Sequence, residues 1–119
     1  MRVLIVDDAR DMRVIVADVC KRSIPAVETI EAEDGIDGLE KFEAYKPDLV
    51  ITDNIMPRLC GDEMTEAMKG KSPDTPVVMF SNVNPRLIRG REHYEIVIQK
   101  DIPSLKAWLG QWYGQRVAI

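Results

Sequence analysis

Short unbroken runs of branched apolar residues alternate in this chain with longer stretches whose apolar residues return every three or four positions. Val3-Leu4-Ile5-Val6 contains no polar residue and stops at Asp7-Asp8, as a strand buried on both faces does. Met12, Ile15, Val16, Val19 and Cys20 then fall on one helical stripe, closed by Ser23-Ile24-Pro25. A second strand is expected between Ala26 and Ala32; it is less apolar, which places it at a sheet edge. Ile36, Leu39, Phe42 and Tyr45 make a second helical stripe, ended by Lys46-Pro47. Leu49-Val50-Ile51-Thr52 reads as the third strand and stops at Asp53. Cys60, Met64, Ala67 and Met68 mark a third helix, which Lys71-Ser72-Pro73-Asp74 breaks.

Pro76 to Phe80 forms the fourth strand and stops at Ser81. Between Asn82 and Tyr94 lie Pro85, Gly90 and few apolar residues, so a fourth helix there is short or degenerate. Glu95 to Gln99 is the fifth strand, ending at Lys100, and Leu105, Trp108, Leu109 and Trp112 mark a last amphipathic helix. Residues 114–119 are expected to fray. Strands alternating with helices imply a parallel sheet covered on both sides, a doubly wound α/β fold.

The 119 residues suit one domain, 1–119, without internal repeat or linker. With 45% hydrophobic residues, a core forms without metal or disulfide staples. A net charge of −4 and no Lys/Arg run argue against direct nucleic-acid binding. Cys20 and Cys60 have no metal-ligand spacing, and one His is too few for a zinc site. Each Cys is expected to fill a helix face, which suits a reducing cytosol. The apolar run at Val3–Val6 is too short for a signal peptide or a membrane span, so the expected location is cytoplasmic.

Candidate chemistry lies where the strands stop. Asp7-Asp8, Asp53, Ser81 and Lys100 each stand where an expected strand ends, and in an open parallel sheet those positions share one edge, where ligands bind. Carboxylates gathered there repel, each pair by about 4 kcal/mol at 4 Å and an effective dielectric of about 20. A cation must offset that repulsion. Oxygen donors favour a hard ion such as Mg²⁺ over zinc. A carboxylate beside such an ion can attack phosphorus, while a lysine and a hydroxyl take the phosphoryl oxygens. Taken singly, Asp7 and Asp8 read as helix caps, Asp53 and Ser81 as turn residues and Lys100 as a solvated charge. Their joint placement favours the site.

The succession Asp7-Asp8, Leu49-Val50-Ile51-Thr52-Asp53 with Met56-Pro57 and Gly61, Ser81 and Lys100 resembles the bacterial response-regulator receiver domain, from Val3 to about Trp112. In length the chain is similar to the single-domain chemotaxis regulators. The resemblance implies a flavodoxin-like five-stranded sheet in the order 2-1-3-4-5. It implies that Asp53 accepts a phosphoryl group from a histidine kinase, a phosphotransfer protein or a small phosphodonor. It further implies Mg²⁺ on Asp8, Asp53 and the Ile55 carbonyl, with Asp7 acting through water. Lys100 then pairs with the phosphoryl group, and Ser81 takes one of its oxygens. With no effector domain following, output is expected through protein contacts, phosphotransfer or a homodimer.

Three positions depart from the family. Val97 stands where an aromatic switch residue is usual, three before the lysine. Asp101 replaces the proline after Lys100, where a cis bond without proline costs about 3 kcal/mol, and is placed to compete for the lysine. Asn82 is larger than the residue usual after Ser81 and is placed to crowd the site. Ile55 and Val83, both apolar, flank the expected path of hydrolytic water, which predicts slow self-dephosphorylation.

Two other functions compete with the switch. One is a receiver-like interaction module that no longer depends on phosphorylation. The other is a magnesium phosphohydrolase, disfavoured because Asp7-Asp8-Ala9-Arg10 lacks a second Asp two residues on. Arg86, Arg89 and Arg91 form a small basic patch suited to an acidic partner surface.

Overall fold

A computed structural model describes residues 1–117. The apolar runs form strands β1 (Arg2–Val6), β2 (Glu28–Ala32), β3 (Leu49–Thr52), β4 (Val77–Phe80) and β5 (Ile96–Ile98). The periodic stretches form helices α1 (Arg10–Ser23), α2 (Gly35–Tyr45), α3 (Gly61–Lys71) and α4 (Ile102–Val117). All strand pairs are parallel, in the order β2-β1-β3-β4-β5. This is the doubly wound, flavodoxin-like sheet, with the less apolar β2 at one edge. Strand β1 starts one residue before its apolar run, at Arg2, and β3 matches its run; β2 lies within the expected 26–32 span, starting at Glu28 after Ala26 turns through φ 58°, while β4 omits Pro76 and β5 keeps only Ile96–Ile98.

Successive side chains of a strand point to opposite faces, so the sheet divides two apolar layers. Val3, Ile5, Leu49, Ile51, Val78 and Phe80 pack with Val16, Cys20 and Ile24 of α1 and its end, and with Leu105 and Leu109 of α4. Leu4, Val6, Val50, Val77 and Met79 pack on the other side with Phe42 of α2, Met64 and Met68 of α3, and Met56, Ile88 and Tyr94. Each fully buried side chain of this kind contributes about 1.5–3 kcal/mol. Thus α1 and α4 cover one face, and α2 and α3 the other.

Some expected core positions are not core. Ile15 and Tyr45 are 43% and 42% exposed, because each lies at the margin of its stripe and its helix touches the sheet along a narrower line. Cys60 does not fill the face of α3. It is the residue before the helix, half-exposed, with its thiol donating to Glu63 Oε1 at 3.4 Å. In place of a fourth crossover helix, residues 82–94 hold only two 3₁₀ turns, Pro85–Leu87 and Arg91–His93. Pro85 opens the first turn and Gly90, at φ 64°, separates them. The last helix continues through Val117; the rest of the expected frayed tail, 118–119, lies outside the described residues. Trp108 and Trp112 stack along this helix, 5.7 Å apart, with the Arg116 guanidinium over the Trp112 ring.

Candidate phosphoacceptor site

The register carries the strand-end residues to one rim. Val6 pairs with Ala32 on one side and Thr52 on the other, and Phe80 pairs with Ile98. The next residues are tied across the sheet by their own amides: Asp7 N–H donates to Ala32 O, Asp53 N–H to Val6 O, and Ser81 N–H to Ile98 O. Asp7, Asp8 and Asp53 each offer a carboxylate oxygen within 4.8 Å of the others. Asp7 is buried and Asp8 exposed. Lys100 Nζ lies 2.9 Å from both Asp7 Oδ2 and Asp53 Oδ2. Burial opposes the charge on this ammonium, but the hydrogen bonds to Asp53 and Asp7 outweigh it and raise its pKa above the usual lysine value.

Backbone donors fix the carboxylates. Asp7 Oδ1 accepts from Ala9 N–H at 2.9 Å, just ahead of α1, and the Arg13 guanidinium holds the Asp7 carbonyl at 2.7 Å. Asp7 therefore does the turn work of an ordinary acid at a helix entry as well as facing the lysine. Asp53 Oδ1 accepts from Asn54 N–H at 2.7 Å. Ser81 is 2% exposed, and its Oγ accepts from Val83 N–H at 3.2 Å, leaving its own proton for an acceptor in the cleft. Among the described residues no protein donor reaches the Ile55 carbonyl. An open cleft of about 430 Å³ is lined by Asp53, Ile55, Ser81, Asn82, Val83, Asn84, Leu87 and Lys100.

Every peptide bond among the described residues is trans, including that between Lys100 and Asp101. Asp101 does not compete for the lysine. Its carboxylate accepts from the Ser104 amide and hydroxyl at the start of α4. Asn82 is exposed and lines the same cleft as Asp53, with its Oδ1 accepting from the Lys100 amide at 3.2 Å. Val97 is half-buried against the layer under α2 and α3.

Five further side chains around the rim are not marked by an apolar run. Arg58, at φ 67°, grips the buried Asp34 with two hydrogen bonds of 2.8 and 3.0 Å. Asn54 and Asp62 bond each other through both side chain and backbone, and Tyr94 OH donates to Asp62 Oδ1 at 2.6 Å. Only Asp34 carried a local signal: it caps α2 by accepting from the Asp37 amide, while the Asp37 carboxylate accepts from the Glu33 amide one residue ahead of the cap.

A parallel sheet in this order, with acids, a hydroxyl and a lysine meeting at its carboxyl edge, defines a receiver-type signalling domain. The family model for the response regulator receiver domain matches residues 3–98, and the chain belongs to that family, whose members serve two-component signalling. It is 37% identical over 81 residues to the chemotaxis protein CheY of Listeria monocytogenes, covering 68% of this chain and 67% of the relative. It is 42% identical over 84 residues to a protein-glutamate methylesterase/protein-glutamine glutaminase of Geobacter metallireducens, covering 70% of this chain and 23% of that much longer relative. The response regulator domain of Thermotoga maritima CheB superposes with a TM-score of 0.78 at 26% identity, over 100% of this chain and 97% of that one. Among the described residues no helix is long and apolar enough to cross a membrane.

Proposed function

We propose that this domain is a phosphorylation-dependent switch of a two-component relay, with Asp53 as phosphoacceptor. The observation that carries the reading is Lys100, whose ammonium sits 2.9 Å from both Asp7 and Asp53 while Ser81 lines the same cleft. The donor is a phosphohistidine of a histidine kinase or phosphotransfer protein, or a small phosphodonor. An Asp53 carboxylate oxygen attacks phosphorus. The new O–P bond forms as the P–N bond to imidazole breaks; its electron pair stays on the imidazole nitrogen, which takes a proton from solvent. Lys100 follows the negative charge from the carboxylate to the phosphoryl oxygens, and the Ser81 hydroxyl donates to one of them.

Oxygen-only donors, three clustered acids and a carbonyl with no protein donor suit a hard cation. Asp8, Asp53 and the Ile55 carbonyl would hold Mg²⁺ directly, with Asp7 acting through water. Bound Mg²⁺ supplies neutralisation of the charge gathered on the acids and the phosphoryl group. Downstream partners are proteins met in the cytoplasm through surface contacts or a second phosphotransfer.

Incubation with acetyl phosphate and Mg²⁺ is expected to add one phosphoryl group to the wild type, read by intact mass, and none to Asp53→Asn. Val97 favours a second reading, an interaction module independent of phosphorylation, since valine offers no ring to swing. An unchanged wild-type mass supports that module over the switch.

A further inference from the structure

Strand β5 is the shortest of the five and lies at the sheet edge, so the ladder holds it from one side only. Its last residue, Ile98, pairs with Phe80, and the last backbone bond between the two strands runs from the Ser81 amide to the Ile98 carbonyl at 3.0 Å. Lys100 therefore stands two residues beyond the end of a short edge strand. Hydrogen bonds of a parallel pair are evenly spaced, and the next one in this register would run from the Lys100 amide to the Ser81 carbonyl. Among the described residues that bond is not made. The Lys100 amide donates to Asn82 Oδ1 at 3.2 Å, so a side chain supplies the rung that the backbone leaves out.

Past that rung the chain turns at once. The Asp101 amide donates to the Gln99 carbonyl at 2.5 Å, a three-residue turn with Lys100 at its apex. The Asp101 carboxylate then accepts from the Ser104 amide at 3.2 Å as α4 begins. Both bonds are local and shape the turn without fixing it against β4. At the far end of the side chain, Lys100 Nζ stands 2.9 Å from both Asp7 Oδ2 and Asp53 Oδ2. A lysine reaches its acceptors along a flexible four-carbon stem, so the placing of its backbone decides whether the ammonium can touch both acids.

We propose that Asn82 is a positioning residue for the Asp53 reaction and acts through Lys100: its carboxamide replaces a ladder bond and holds the lysine backbone where the ammonium spans Asp7 and Asp53. The proposal rests on Asp53 being the acceptor. Asn82 also lines the cleft, and bulk at the mouth of a cleft has the opposite effect, since it shuts the phosphodonor out. The two roles differ in sign. A side chain that only fills the mouth slows uptake, so a smaller residue speeds it. A side chain that holds the lysine speeds uptake, so a smaller residue slows it, and so does an apolar residue of equal size. Without Asn82 the Lys100 amide is left to the Ser81 carbonyl or to water, and the base of the lysine shifts. The acids then lose the positive charge that offsets their repulsion, and a divalent cation meets less competition for them.

The test compares the wild-type chain with Asn82→Ala and Asn82→Leu, the second keeping the size of asparagine without its acceptor. Phosphoryl uptake from acetyl phosphate in Mg²⁺ is followed by intact mass, and Mg²⁺ affinity is measured by titration calorimetry in the absence of the phosphodonor. Both variants are expected to take up the phosphoryl group about fivefold more slowly, the effect of one lost intramolecular hydrogen bond. Both are also expected to bind Mg²⁺ about threefold more tightly. Asn82 is exposed, so urea midpoints are expected to match wild type. Faster uptake by Asn82→Ala overturns the proposal in favour of crowding, and wild-type rates in both variants overturn it outright. Slower uptake with unchanged Mg²⁺ affinity overturns it too, because the lysine has then not left the acids. No incorporation into the wild type overturns the switch and this role together.

Discussion

Arg58 adopts a left-handed backbone, and its guanidinium lies over the mouth of α2, where Asp34 caps the helix. That guanidinium holds the Asp34 carboxyl below the usual carboxylate range; burial pushes the other way, and the Asp37 and Ile36 amides add to the lowering. A carboxyl depressed by folding stabilises the native state above its unfolded pKa of about 3.9 and loses that contribution as pH falls through the folded value. Arg58→Ala is therefore expected to lower the urea midpoint at pH 7, with the gap to wild type narrowing in melts at pH 3. Ile55, 70% exposed, and half-buried Val83 line the cleft beside Asp53 without a polar atom on either side chain to orient water. Slow loss of the phosphoryl group is expected, measured as mass decay after donor removal in Mg²⁺; a lifetime of seconds refutes it. Asp7, Asp8, Asp53, Ser81 and Lys100 are legible along the chain because each is the first polar residue after, or close to the end of, an apolar run. Arg58, Asn54, Asp62 and Tyr94 are not, because their partners lie 24, 8 and 32 residues away and no local periodicity marks the pairing.

Helix α3 meets the Asp53–Asn54 loop more closely than any side chain allows. A methyl group on Gly61 would stand 2.3 Å from the Asp53 carbonyl oxygen, while the Gly61 amide donates to Asn54 O at 2.8 Å. Gly61→Ala must push the loop and the helix apart. An expected loss of about 1–3 kcal/mol in urea unfolding should come with slower phosphoryl uptake from acetyl phosphate, since the same movement displaces Asp53. A variant that is destabilised yet phosphorylated at the wild-type rate contradicts this. The order of strands and helices was readable because period two and period 3.6 separate cleanly here. Helix margins were less so. Ile15 and Tyr45 satisfy the spacing but face water, because spacing defines a stripe and not how wide a strip the sheet covers. The 82–94 segment lacks either period, and its bonds to Lys100 and Asp62 span 18 to 32 residues.

The two cysteines report on the molecule as a body. Cys20 is fully buried under the sheet, and burial pushes its thiol up to about 12; Cys60 is half-exposed. In native protein one equivalent of a thiol reagent is expected at Cys60, and a second only when the whole domain opens. Rapid double labelling without denaturant would show that the α1 and α4 side opens locally. The sheet keeps its two apolar layers out of contact, and residues 82–94 lend Ile88 and Tyr94 to one of them only. A disturbance spreading from the acidic rim into that layer therefore need not unseat the helices behind the sheet. Five strands act as a bulkhead between the layer that residues 82–94 touch and the layer that they do not.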